Sequence, residues 1–209
     1  MTLNRPLLIR LIQGDPRHKT RLHDFEGNKA RGGLVQSLVS ATCLKLGHRQ
    51  QLPWINYLAL ERLGSILSPE FKVLEFGSGL STLWLSKRCA LVVTIENDPE
   101  WFAVVQSEAG ENVDARLCTE PEEYCRVSGY SDRYFDLVIV DGRWRDRATS
   151  KALQMVTAGG HIYLDNSDVQ DTEHQEAKRL LLNASRSAEM LVGLSPFQVT
   201  TTQGIFAQI

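Results

Sequence analysis

"VLEFGSGLSTLWLS", Val73 to Ser86, joins a short apolar run, a carboxylate and a Gly-Ser-Gly turn to a helix-like segment. The run is the length of one strand, and the two glycines allow the sharp backbone bend that a strand-to-helix corner needs. The same alternation repeats downstream. Strand-like runs fall at 72–76 (KVLEF), 91–95 (LVVTI), 113–118 (VDARLC), 135–140 (FDLVIV) and 160–164 (GHIYL), with segments suited to helices at 80–88, 99–108, about 120–127 and 146–157. Nearly continuous apolar strands separated by amphipathic helices indicate a parallel sheet covered on both faces. A helix over about 171–187 and two late strands, roughly 189–194 and 203–209, bring the expected sheet to seven strands. The expected class is α/β: a Rossmann-like, seven-stranded, mostly parallel sheet.

Upstream, residues 14–31 are polar and aperiodic and read as loop. From Gly32 the apolar residues Leu34, Val35, Leu38, Val39, Cys43, Leu44 and Leu46 recur at three- and four-residue spacing, predicting a helix that stops at Gly47. Pro53 is expected to open another helix, carrying Trp54, Ile55, Leu58, Leu60, Leu63, Ile66 and Leu67 and ending near Pro69.

Composition narrows the class. The 209 residues suffice for one sizeable core, with 43% hydrophobic and 23% charged residues. No apolar run reaches the roughly 18–20 residues that span a bilayer. The short N-terminal apolar patch is broken by Arg10, so a soluble, cytoplasmic chain is expected. Four cysteines (Cys43, Cys89, Cys118, Cys125) form no C-x-x-C pair and are expected to be reduced thiols. Net charge is −2 but uneven: residues 1–50 hold nine basic and three acidic residues (+6), and the remainder 14 basic and 22 acidic (−8). Such a basic arm suits an anionic partner or a solvated flank.

The turn at Gly77-Ser78-Gly79 follows the first strand of the sheet, where doubly wound folds bind ligands beyond the strand ends. A dinucleotide fingerprint would need a third glycine at position 82, which is Thr82, and no G-K-[ST] phosphate loop follows. Glu75 stands two residues ahead of Gly77. A carboxylate there repels a pyrophosphate and favours a ligand with ammonium or sulfonium charge, and S-adenosylmethionine carries both. Glu96 ends the next strand, nineteen residues after Gly77, where an acid accepts hydrogen bonds from ribose hydroxyls. That feature is shared with dinucleotide enzymes, and Asp98 offers a separate cap for the following helix.

Glu75-Phe76-Gly77-Ser78-Gly79-Leu80-Ser81, together with Ile95-Glu96, resembles motifs of the class I S-adenosylmethionine-dependent methyltransferases. The resemblance covers about residues 71–209 and implies a cofactor-binding domain there, with residues 1–70 as a helical extension on the substrate side. By that resemblance Gly77, Ser78 and Gly79 wrap the methionine portion, with Glu75 near its amino group and Ser81 a further cofactor contact. Glu96 holds the ribose, Asn97 is a further cofactor contact, Thr119 lies beside the adenine, and Asp141 closes the pocket.

Asp141 ends the fourth strand and Asp165-Asn166 the fifth, an oxygen-rich set suited to Mg²⁺ or another divalent cation. The layout is similar to metal-dependent O-methyltransferases of the catechol and caffeoyl-CoA type, which implies metal ligands at Asp141, Asp165 and Asn166 and catalytic roles for the two acids. The lysine that family places three residues beyond the first acid is Trp144 here. Asp141 contacting cofactor, with Asp165 and Asn166 capping a turn, is the plainer alternative. His161 opens its strand and is expected at the far edge. Trp54, Tyr57, Arg143 and Trp144 are the expected substrate contacts, the arginine suiting an anionic acceptor. The expected activity is methylation of a small molecule on oxygen. A catalytically silent cofactor-binding or scaffold protein of the same fold is the alternative, and NAD(P)-dependent oxidoreduction is disfavoured by Glu75 and Thr82. Nucleic acid is disfavoured as substrate because "VDGRWR" lacks the Asn/Asp-Pro-Pro-Tyr/Phe motif, and self-association is left open.

Overall fold

The computed structural model describes residues 23–48, 50–198 and 200–209. The basic residues Arg5, Arg10, Arg17, Lys19, Arg21 and Arg49 lie outside them. Among the described residues, α1 (Leu34–Lys45) and α2 (Tyr57–Ile66) precede β1 (Lys72–Phe76), α3 (Leu80–Ser86), β2 (Leu91–Glu96), α4 (Pro99–Glu108), β3 (Val113–Leu117) and α5 (Pro121–Tyr124). β4 (Phe135–Val140), α6 (Arg145–Met155), β5 (Val156–Asp165), α7 (Thr172–Ala184), β6 (Ser187–Leu194) and β7 (Thr201–Gln208) follow. The sheet order is β3-β2-β1-β4-β5-β7-β6, parallel through β5, with β7 antiparallel to both of its neighbours. The chain reverses direction across the sheet between β1 and β4, so a crevice opens at their carboxyl ends.

Side-chain alternation divides the core into two layers. Leu74, Phe76, Val93, Ile95, Val138 and Val140 face α6 and α7, meeting Ala148, Ala152, Met155, Ala177 and Leu181. Val73, Val92, Leu137 and Ile139 face α2 and α3, meeting Ala59, Leu63 and Leu85. Glu75 shares the second face with Val73 by strand period and pairs in register with Thr94. A carboxylate is thereby carried into the interior at the crevice end of β1.

Three expectations are corrected. α2 begins at Tyr57, because Asn56 caps it: its Oδ1 accepts from Ala59 N at 2.9 Å and its Nδ2 donates to Leu191 O at 3.0 Å. A buried side-chain cap outcompetes a proline start, so Trp54 and Ile55 precede the helix. α1 forms where expected but presents the opposite face. Leu34, Val35, Leu38 and Val39 are exposed, while Ser37 and Ser40 are buried. Ser37 Oγ donates to Ser195 O at 2.7 Å, and Ser40 Oγ accepts from Phe197 N at 2.9 Å. The third is β5, which runs through Gly159 and Gly160 rather than starting there. The pairing with β4 shifts register between Phe135 and Leu137, and a bulge absorbs the glycines. The four cysteines are free thiols. No helix among the described residues is long and apolar enough to cross a membrane.

Candidate active site

A cleft of about 440 Å³ lies at the carboxyl ends of β1, β2, β4 and β5. Gly77 to Ser81, Glu96, Asn97 and Trp101 line one half; Asp141, Gly142, Arg143, Arg145, Asp165 and Asn166 line the other. Trp54, the β6–β7 connection (Ser195, Gln198, Thr200) and Thr202 at the start of β7 complete the wall.

The two glycines of the turn do different work. Gly77 has φ +98°, and a Cβ there would lie 2.7 Å from the backbone of Gly142, so this glycine lets the β1 and β4 loops cross. Gly79 is extended, and a Cβ there would meet nothing nearer than Ser81 Oγ at 3.5 Å. A Cβ there would make only ordinary van der Waals contact, with Ser81 and Trp101 Nε1 at 3.7 Å.

Thr82, where a dinucleotide turn would carry glycine, braces the corner. Its Oγ1 accepts from Gly79 N at 2.9 Å and donates to Glu75 Oε2 at 2.5 Å. Thr94 Oγ1 also donates to Glu75 Oε2, at 3.1 Å. Glu75 is fully buried directly behind the turn and does not line the cleft; its Oε1 makes no hydrogen bond. Burial pushes its carboxyl up to about 7, opposed by the hydroxyls of Ser81, Thr82 and Thr94 and assisted by the charge of Asp141.

Glu96 reaches the cleft from the β2 tip, but its oxygens are occupied by the backbone. Oε2 accepts from Ser78 N at 2.8 Å; Oε1 accepts from Asn97 N at 2.7 Å and Asp98 N at 2.8 Å. Burial raises its pKa and these three amides pull it back. One lone pair of Oε2 is left for a ligand hydroxyl. Trp101, which the sequence reading missed, faces the same space and donates its indole N–H to Ser78 O. The signal was present: Asp98 caps α4 and Pro99 opens it, which fixes Trp101 on the first turn. Thr119 is exposed and lies off the cleft.

On the other half, Trp54 and Arg143 reach the cleft, while Tyr57 and Trp144 do not. Tyr57 donates to Gln36 O at 3.1 Å beside a separate groove. Trp144 adopts φ +49° and packs edge-on against Tyr124, ring centres 5.2 Å apart. His161, expected to open its strand, lies in the middle of β5, four residues before Asp165, and stacks on Phe206.

Asp141, Asp165 and Asn166 do converge, but with Arg145 among them. This arginine is 6% exposed. Its Nε donates to Gly142 O at 3.0 Å, Nη1 to Asp165 O, and Nη2 to Asp141 O at 2.9 Å and Asp141 Oδ1 at 3.0 Å. Asp165 Oδ1 accepts from Tyr163 OH at 2.6 Å and Oδ2 from Asn166 Nδ2 at 2.7 Å. A hard divalent ion needs several carboxylate or carbonyl oxygens turned toward one point; here those oxygens are turned toward N–H and O–H donors. Among the described residues no cluster of acidic, histidine or cysteine side chains is arranged to hold a metal. The oxygen-rich set expected from sequence is therefore assembled in space but does not fit a metal ion.

No protein-family model and no curated protein sequence matches this chain. Solved structures do. An O-methyltransferase from Bacillus cereus, determined with S-adenosylhomocysteine, aligns over 84% of this chain and 90% of its own, with TM-score 0.60 and 20% identity. The tRNA (m1A58) methyltransferase from Aquifex aeolicus aligns over 76% and 70%, with TM-score 0.56 and 18% identity. Spermidine synthase from Thermotoga maritima aligns over 68% of this chain and 54% of its own, with TM-score 0.53 and 14% identity. Strand order, crevice and these likenesses agree: the chain has the fold of the class I S-adenosylmethionine-dependent methyltransferases.

Proposed function

We propose that the chain is an S-adenosylmethionine-dependent methyltransferase acting on an oxygen of a small, anionic molecule in the cytoplasm. The observation that carries this reading is the continuous lining of one cleft half by the Gly77–Ser81 turn, Glu96, Asn97 and Trp101. These residues suit a nucleoside joined to an amino acid: Trp101 offers a flat apolar face, Glu96 Oε2 a lone pair for a hydroxyl, and Gly79 a cleft-lining backbone without a side chain. Glu75 adds negative potential from behind the turn, favouring a cationic ligand over a diphosphate. Bound here, S-adenosylmethionine would supply a methyl group already activated on sulfonium sulfur.

Transfer from such a donor asks the protein chiefly for alignment and exclusion of water. Trp54, Ser195, Gln198, Thr200 and Thr202 wall the acceptor half, and the exposed Arg143 gives its rim a positive charge. That charge favours an acceptor carrying a carboxylate or similar anion over a protonated amine. The Bacillus cereus enzyme, named for transfer to oxygen, supports oxygen as the nucleophile by analogy of fold.

Titration calorimetry with S-adenosylhomocysteine and with NAD tests the cofactor. Binding of S-adenosylhomocysteine alone is expected; binding of NAD alone overturns the reading. A radiolabelled methyl-transfer screen over carboxylic acids, phenols, sugars and amines then tests the acceptor. Cofactor binding without turnover across that screen would favour the scaffold alternative, which the packing of Trp144 against Tyr124, away from the cleft, supports.

A further inference from the structure

Arg145 is a buried cation in the middle of the cleft floor, and the functional reading above gives it no role. Four of its hydrogen bonds end on the two loops that follow β4 and β5: Gly142 O, Asp141 O, Asp141 Oδ1 and Asp165 O. Its own backbone is fixed as well. Trp144 turns through φ +49° to start α6 at Arg145, and Arg145 N donates to Glu173 Oε1 at 2.6 Å. A guanidinium presents its donors in a rigid planar fork and stays protonated at any working pH. The residue is therefore held from both ends, and its charge is permanent.

We propose that Arg145 is the resident cation of this cleft: its guanidinium bridges the β4 and β5 tips and takes the place that a divalent ion joining Asp141, Asp165 and Asn166 would need. Three features combine to carry this. The guanidinium reaches both tips at once, through Asp141 and through the Asp165 carbonyl. The Asp165 carboxylate spends its two oxygens on Tyr163 and Asn166. Asn166 turns its amide N–H toward Asp165, where an ion would require its carbonyl oxygen. A divalent cation entering this space would stand against a fixed positive charge and would have to break hydrogen bonds on both loops.

The consequence, which rests on the methyl-transfer reading, concerns the acceptor. With the guanidinium standing where an ion would lower the pKa of a hydroxyl, and with Asp141 engaged by it, the site suits an oxygen that arrives ionised. A carboxylate meets that condition: its oxygen forms the new bond to the methyl carbon, the carbon–sulfur bond breaks with its electron pair left on sulfur, and no proton moves. The product is a methyl ester and a neutral thioether.

Binding of Mn²⁺ to the purified full chain, followed by the electron paramagnetic resonance signal of the free ion, tests the cation assignment independently of the cofactor. Wild type is expected to show no site that Asp141→Asn removes. Arg145→Ala is expected to gain one, binding Mn²⁺ about tenfold or more tighter than wild type, as release of two acidic loops from a fixed cation implies. That gain should vanish in the Arg145→Ala/Asp141→Asn double variant, which a merely structural role would not predict. A Mn²⁺ site in wild type that Asp141→Asn abolishes overturns the proposal, as does a folded Arg145→Ala that gains no site. If Arg145→Ala fails to fold, the wild-type comparison with Asp141→Asn decides alone. Loss of S-adenosylhomocysteine binding in wild type would instead count against the functional reading and leave the cation assignment standing.

Discussion

The carboxylate of Glu96 accepts the backbone N–H of Ser78 at 2.8 Å, tying the tip of β2 to the middle of the glycine turn. The same side chain holds Asn97 N and Asp98 N, so one residue ties together the β1 and β2 loops on that half of the cleft. Glu96→Ala should therefore have two effects. It leaves three backbone amides without their acceptor, which lowers thermal stability. It also weakens S-adenosylhomocysteine binding by about 1–3 kcal/mol, the usual cost of losing a hydrogen bond to a buried polar group. Calorimetry and a melting curve on the same preparation separate the two; unchanged affinity would show that the carboxylate serves the turn alone.

Gly77 and Gly79 should respond differently to the same substitution. Gly77→Ala sets a Cβ against Gly142 in a left-handed conformation and is expected to destabilise the fold by about 2 kcal/mol or more. Gly79→Ala meets no protein atom closer than 3.5 Å and needs no change of φ, so the melting temperature should hardly move while S-adenosylhomocysteine affinity falls. A melting-temperature loss at Gly79 equal to that at Gly77 would mean that both glycines are structural.

How much of this was readable beforehand depended on whether the signal was local. The parallel sheet was legible because β1, β2 and β4 are nearly continuous apolar runs, a pattern that few other environments produce. Glu75, Glu96 and Asp141 were legible as strand-tip acids, and the structure brings all three to the crevice end of the sheet. The buried face of α1 was not, because periodicity marks apolar residues and that face is made of Ser37 and Ser40, bound to a hairpin some 160 positions away. Arg145 was hidden for a related reason: in sequence it is one more arginine of a charged loop. Only the αL turn at Trp144 turns that ring against Tyr124 and leaves Arg143 and Arg145 on the cleft.

Arg143 offers a test of the acceptor's charge. It lines the cleft and is exposed, and no carboxylate among the described residues forms an ion pair with it. Arg143→Glu should raise KM for a carboxylate acceptor by about tenfold, in line with the few kcal/mol at most that a partly exposed charge pair contributes. S-adenosylhomocysteine affinity should stay within about twofold, since the substitution lies on the other half of the cleft. Equal KM values for wild type and variant would remove the arginine from acceptor recognition.

The pH dependence turns on Glu75. Its carboxyl, buried at 0% exposure, is pushed up to about 7, against about 4.5 when the chain is unfolded. A raised folded pKa on an acid means that the native state holds the proton more tightly. Stability from this group is thus fully present below about pH 4.5 and is lost as pH rises through 7, by at most about 3 kcal/mol. Glu75→Gln keeps the shape and cannot ionise. The melting-temperature gap between Glu75→Gln and wild type should therefore shift in favour of the variant as pH rises from 5 to 8. Ligand binding should run the opposite way. An ammonium group bound beyond the turn stabilises the ionised carboxylate, so S-adenosylhomocysteine should bind wild type more tightly as pH rises through 7, with release of a proton. Calorimetry in two buffers of different ionisation enthalpy measures that proton directly. Its absence from Glu75→Gln and presence in wild type would place the ligand's amino group within reach of the Glu75 charge; identical proton release in both would locate it elsewhere.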